Sequence, residues 1–154
     1  MRPLTLVLPV LLLAACGGGG SGLAKSDYVA KAEAVCKDAN TQANALSPPS
    51  TPAGFQDLVE KTVRIFETAT DKLEALDPPK DDKAELQKKV IEPLDKQVVE
   101  AKKFLADVKA AVKKNDQKEL GRLLQNPPTQ AKADLDWMRS YGFKECVEAA
   151  KTDG

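Results

Sequence analysis

The sequence predicts an all-α fold, a small antiparallel helical bundle of about four to five helices. Three observations point there. Apolar residues recur at steps of three and four over most of the chain. The long periodic stretches are separated by Pro-Pro pairs or by Asn, Asp and Gly turns. No alternating run of β-branched residues, the mark of a strand, appears anywhere in the 154 residues. Aromatic residues make up only 5% of the chain, so Ala, Leu and Val must fill the core, which suits close helix packing.

The first helix is predicted from Ser26, read as its N-cap. Its inward face carries Tyr28, Ala32, Val35/Cys36, Ala39, Ala43 and Leu46. Ser47-Pro48-Pro49-Ser50-Thr51-Pro52 ends it, because a residue before proline is pushed out of α geometry. The second helix is expected over about Phe55 to Leu76. Its stripe is Phe55, Leu58/Val59, Thr62, Ile65/Phe66, Ala69, Leu73 and Leu76, and Asp77-Pro78-Pro79 stops it. The endings Ala45-Leu46-Ser47-Pro48-Pro49 and Ala75-Leu76-Asp77-Pro78-Pro79 match at an offset of 30 residues. Shared helix-ending grammar explains this better than a duplicated unit.

The third helical stretch is expected from about Asp82 to Lys114, with Leu86, Val90, Leu94, Val98, Ala101, Leu105, Val108 and Val112 inward. Pro93 lies inside it. An interior proline removes a hydrogen bond and crowds the preceding turn, so a kink or break is expected near Glu92. Glu85/Lys89 and Glu92/Lys96 are exposed i,i+4 pairs with the acid first. Asn115-Asp116 turns the chain, and Asp116-x-x-Glu119 is a capping-box variant opening a short helix to about Gln125. After Asn126-Pro127-Pro128 the last helix is expected from about Thr129 to Tyr141. Gly142 suits the position beyond its end, and a frayed polar tail runs to Gly154.

The amino-terminal segment is read as a signal for export. Met1-Arg2-Pro3, the leucine-rich run from Leu4 to Leu13 and small residues before a cut site make a secretory signal peptide. The apolar run is shorter than the roughly 20 residues a bilayer span needs. Leu13-Ala14-Ala15-Cys16 resembles the lipobox of bacterial lipoproteins, whose signal peptidase cuts before a diacylglyceryl-modified cysteine. That resemblance implies residues 1–15 as signal peptide and Cys16 as the lipidated residue. Residues 16–25 then form a lipidated cysteine and Gly-rich tether, whose run Gly17–Gly22 has an r.m.s. reach of about 13–15 Å. Residues 26–154 form a single helical domain.

Taken with Cys36 in the first helix and the late Tyr141-Gly142-Phe143-Lys144-Glu145-Cys146, the chain looks like the small, uncharacterised helical lipoproteins of Gram-positive bacteria. That class has no shared activity to carry over. It implies a location on the bacterial cell membrane, lipid-anchored and facing outside the cytoplasm.

If Cys16 is lipidated, one pair of cysteines remains, Cys36 and Cys146. An exported chain sits where disulfides persist. A Cys36–Cys146 bond would close a loop of about 110 residues, worth up to about 4–5 kcal/mol. Two buried free cysteines are the alternative.

With residues 1–15 removed, 139 residues remain, carrying 22 basic and 23 acidic side chains, a charge of −1. Such a chain has no long-range field to attract nucleic acid, which is not expected as a partner. The absence of histidine removes Ser-His-Asp and Cys-His catalysis and histidine-based metal sites. The acid pairs Asp81/Asp82 and Asp134/Asp136 lack the Gly and terminal Glu of an EF-hand loop and read as solvated surface. No catalytic residue, cofactor or metal is therefore expected, and the protein is not expected to be an enzyme.

The densest unusual chemistry is Trp137, Tyr141 and Phe143, with Met138 beside them. These residues are either core packing near the disulfide or a surface for a partner or ligand, since Trp and Tyr are enriched at binding hot spots. The expected function is a lipid-anchored module that binds the membrane through Cys16 and another cell-envelope component, a protein among the candidates, through its folded part. The alternative is a carrier or sensor of a small apolar or amphipathic ligand held between helices.

Overall fold

A computed structural model of the protein describes residues 22–128 and 134–150. Among these there is no strand. The helices are α1 (Lys25–Asn44), α2 (Pro52–Glu74), α3 (Lys83–Leu86), α4 (Glu92–Lys113), α5 (Gln117–Gln125), α6 (Leu135–Tyr141) and α7 (Glu145–Ala149), with a π-helical turn over Gln87–Ile91 between α3 and α4. They form the predicted antiparallel bundle. α2 lies along α4, α1 packs on α2 and α7, and α5 folds back on α4.

α1 begins one residue before Ser26, which lies inside its first turn. Ala24 caps it with extended backbone and no side-chain bond. The reason lies upstream: the Leu23 N–H donates to the Asp77 carbonyl at 3.1 Å, which already sets the chain's direction. Gly22 is held at φ +130°, where a Cβ would run into the Pro78 carbonyl. Tyr28, Ala32 and Cys36 are buried as expected, but Ala43, in the last turn of α1, is exposed.

Pro52 opens α2, three residues before Phe55. A proline fits the first helical position because the N–H it lacks would have no partner there. The Thr51 hydroxyl completes the start by accepting from the Gly54 N–H at 3.0 Å. The buried face of α2 contains Val63 and Thr70 rather than the predicted Thr62 and Ala69. Both α1 and α4 press on this helix, which widens its inward face. The Thr70 hydroxyl stays satisfied there by donating to the Phe66 carbonyl at 3.0 Å. α1 and α2 finish alike: Ala45 N–H reaches Thr41 O and Ala75 N–H reaches Asp71 O, followed in each case by a three-residue bond from Leu46 or Leu76.

The third stretch breaks where Pro93 requires it, as a π turn rather than a sharp kink. The Glu92 N–H reaches back five residues to the Gln87 carbonyl. Pro93 has no N–H with which to continue an α ladder, and the wider turn makes room for its ring. Leu86, Val90 and Ile91 are buried around this turn.

Asp116 and Asp134 are the caps of α5 and α6. Their carboxylates accept from the Glu119 and Trp137 N–H groups, each at 3.0 Å. The sequence reading began the last helix near Thr129; residues 129–133 lie outside the described residues. At the end of α6 the Phe143 N–H donates to Met138 O and the Gly142 N–H to Arg139 O, the Schellman pattern. Gly142 sits at φ +124°, which favours glycine. The polar tail expected here is corrected in part: residues 145–149 form α7, whose Val147 is buried against the rest.

Buried side chains form two clusters. The larger joins Tyr28, Ala32 and Cys36 of α1 to Leu73, Leu86, Val90, Ile91, Met138, Tyr141, Phe143, Cys146 and Val147. The smaller, at the other end, contains Val108, Ala111, Leu120 and Leu123, with Phe55 and Phe104 against it.

Candidate functional site

The predicted disulfide is present. Cys36 and Cys146 are bonded with an S–S distance of 2.03 Å and Cα atoms 4.9 Å apart, joining α1 to α7. α7 is too short to be stable alone. Besides the covalent bond, a carboxylate from α1 holds it. Glu33 accepts from the N–H groups of Glu145 at 2.8 Å and Cys146 at 3.2 Å. Two unpaired donors at the start of α7 are thus satisfied by a side chain more than 100 residues away in sequence. Glu33 lies three residues before Cys36, on the same side of α1, which is the only signal in the sequence that could have pointed to it.

Next to this junction lies the aromatic group. Trp137 stacks on Tyr141 with ring centroids 4.8 Å apart, and Tyr141 stacks on Phe143 at 5.1 Å. Tyr28 meets Phe143 edge-on at 6.3 Å. Two lysines close over the outer rings. Lys25 Nζ lies 3.9 Å from the Tyr141 centroid and Lys89 Nζ lies 5.0 Å from that of Trp137. Lys89 is held in place by Glu85 at 3.2 Å and Asp134 at 3.4 Å.

The Tyr141 hydroxyl donates to Asp82 Oδ2 at 2.6 Å. Burial, then this hydrogen bond and the Asp82 charge, push the Tyr141 phenol well above its usual range, so it stays a donor. Burial likewise raises Tyr28. The N–H of Trp137, followed by Lys89, holds the Asp134 carboxyl below the usual range.

The three aromatic candidates therefore have different places. Phe143 is 1% exposed and Tyr141 8% exposed, so both belong to the core around the disulfide and neither offers a contact surface. Trp137 is half-buried and packs against that core from its margin. Cys16 lies outside the described residues. Asp82, Lys25 and Lys89 join the site unannounced by any motif, because only the tertiary fold brings them to the rings.

Two clefts adjoin this end. The larger, about 460 Å³, is lined by Tyr28, Leu73, Glu74, Leu76, Leu86 and Ile91 among others. The smaller, about 360 Å³, lies between Gly22–Lys25 and Pro79–Asp82. A ligand carrier is expected from the sequence to hold its ligand in a pocket lined by Phe55, Phe66, Leu105 and Trp137, and neither cleft is lined by any of them. Glu74 on the rim of the first is pushed above the usual carboxylate range by burial and then by the carboxylate of Asp95 on α4. Among the described residues no group of three His, Cys, Asp or Glu side chains could hold a metal ion. No helix among them is long and apolar enough to cross a membrane.

No protein-family model, no curated protein and no solved structure matches the chain.

Proposed function

We propose that this chain is a lipid-anchored, extracytoplasmic helical module that works by binding another component of the cell envelope and carries out no chemistry of its own. The observation that carries the reading is the Cys36–Cys146 bond. It accords with an oxidising compartment. It also uses two of the three cysteines within the fold, so Cys16 is left for the lipid that the Leu13–Cys16 motif calls for. The test is Cys16→Ser. The variant should lack the acyl group and remain unprocessed or be released, because one residue carries the whole anchor. A Cys16→Ser protein that is still processed and retained on the membrane would overturn the reading. A partner is sought by crosslinking intact cells and identifying captured proteins by mass spectrometry, with Cys16→Ser cells as the control.

The larger cleft favours a second reading, a carrier or sensor of a small amphipathic ligand. Its volume of about 460 Å³ is in the range of ligand sites. Leu73, Leu86 and Ile91 supply apolar wall and Glu74 and Asp77 supply a polar rim. Native mass spectrometry of protein from its own membrane should then find a co-purifying small molecule, lost when Leu76→Trp, at a partly buried lining residue, fills the cleft. A spectrum of bare protein would count against this second reading.

A further inference from the structure

We infer that the flank carrying Trp137, Lys25 and Lys89 rests against the phospholipid headgroups of the membrane that holds the protein. The inference rests on the reading of Cys16 as the lipidated residue and adds which face of the bundle meets the bilayer.

The first argument is where the chain leaves the domain. Leu23 is tied to the turn after α2 by its N–H bond to Asp77 O at 3.1 Å and packs against the disulfide-end core. Gly22 lies against the Pro78 and Lys80 backbone. The exit is therefore at the α2–α3 end of the bundle. From Cys16 to Gly22 there are six residue steps, which cover about 22 Å at full extension. α2, with 23 residues, spans about 34 Å. The α5 end thus stands farther from the anchor than the tether can reach, and the disulfide end is the near one.

The second argument is the chemistry at the near end. Lys25 is three residues from Gly22, and its ammonium covers Tyr141, which stacks on Trp137. Trp137 is half-buried, unlike the enclosed Tyr141 and Phe143. Its ring body is held by Tyr141, and Lys89 stands over its face. An amphipathic indole with a lysine beside it suits headgroup depth, where the apolar ring meets glycerol and ester groups and the exposed Lys25 ammonium meets phosphate, while Lys89 is shared with Glu85 and Asp134. The opposite end offers Leu124 instead, 57% exposed. A single indole adds a peripheral contact rather than an anchor, so it orients a domain that the lipid already retains.

The chain has one tryptophan, which makes Trp137 its own probe. Full-length protein is reconstituted in phosphatidylglycerol–phosphatidylethanolamine vesicles containing a lipid with a nitroxide on its headgroup. Acylation of Cys16 is checked by mass spectrometry. Trp137 should lose most of its emission to the nitroxide. The reporter Trp137→Phe/Leu124→Trp, with folding checked by circular dichroism, should keep most of its own. Equal quenching of the two reporters, or stronger quenching at position 124, would overturn the orientation while leaving the anchor reading intact. Protein with an unmodified Cys16 would overturn the anchor reading, and the orientation with it.

Discussion

Removing the disulfide tests how the two ends of the chain are held. In Cys36→Ala/Cys146→Ala the bond between α1 and α7 is gone, while Glu33 and the buried Val147 still hold α7 in place. The folded state therefore loses little. The cost falls on the unfolded chain, which regains the freedom that the crosslink withheld. With a separation of 110 residues, the loop-closure relation gives an entropy of about 16 cal/mol/K, or about 4.8 kcal/mol at 25 °C. For a domain whose total stability is on the order of 5–15 kcal/mol, this separates a robust fold from a marginal one. With a urea dependence of about 1.5 kcal/mol/M, the midpoint should fall by about 3 M. The assay is urea unfolding followed by circular dichroism, on the oxidised protein, the reduced protein and the double variant. Reduced protein and double variant should agree closely. A loss below about 1 kcal/mol in both would refute the argument that the bond acts by restricting the unfolded chain.

Three further predictions concern the same end of the molecule. Phe143→Ala, at a fully enclosed ring, should cost about 3–5 kcal/mol in thermal melts, and Trp137→Ala roughly half as much because that ring is only half-buried; equal losses would mean that Trp137 is as deeply packed as Phe143. Glu33→Ala should cost about 1.5–3 kcal/mol and speed hydrogen exchange at the Glu145 and Cys146 amides. Unchanged exchange there would show that the disulfide alone organises α7. Glu74 has a raised carboxyl in the fold, so its contribution is fully present below its unfolded value of about 4.3 and is lost as pH rises through the folded value. Glu74→Gln should therefore raise Tm at about pH 7 and lose that advantage below about pH 4. An advantage that stays constant across the titration would exclude the carboxyl as its source.

Local grammar made much of the fold legible. The caps Asp116 and Gly142, the stops before Pro48 and Pro78 and the disturbance at Pro93 act within a few residues, so the sequence displays them directly. The inward position of Cys36 follows from helical period alone. Hidden features share one property, a partner distant in sequence. α7 looks like a polar tail because the groups that stabilise it, Glu33 and Cys36, stand on α1. Ser26 loses its capping role because Leu23 is held by Asp77. The aromatic segment shows the same division. Composition marks Trp137, Tyr141 and Phe143 as unusual and favours core packing for them, yet the sequence does not say which of the three is enclosed.

Taken alone, then, the sequence determined the longer helices and their breaks, and set the expectations of a bond between the two later cysteines and of an anchor at Cys16. Short-range sterics, backbone hydrogen bonding and helical period decide those features, apart from the anchor and the pairing, which follow from the Leu13–Cys16 motif. The tertiary structure decided that Phe143 is enclosed while Trp137 is only half-buried, that Tyr141 donates to Asp82, and that Glu33 caps the last helix. Burial and hydrogen bonding of this kind depend on which surfaces meet, and here they meet across 59 and 112 residues of chain.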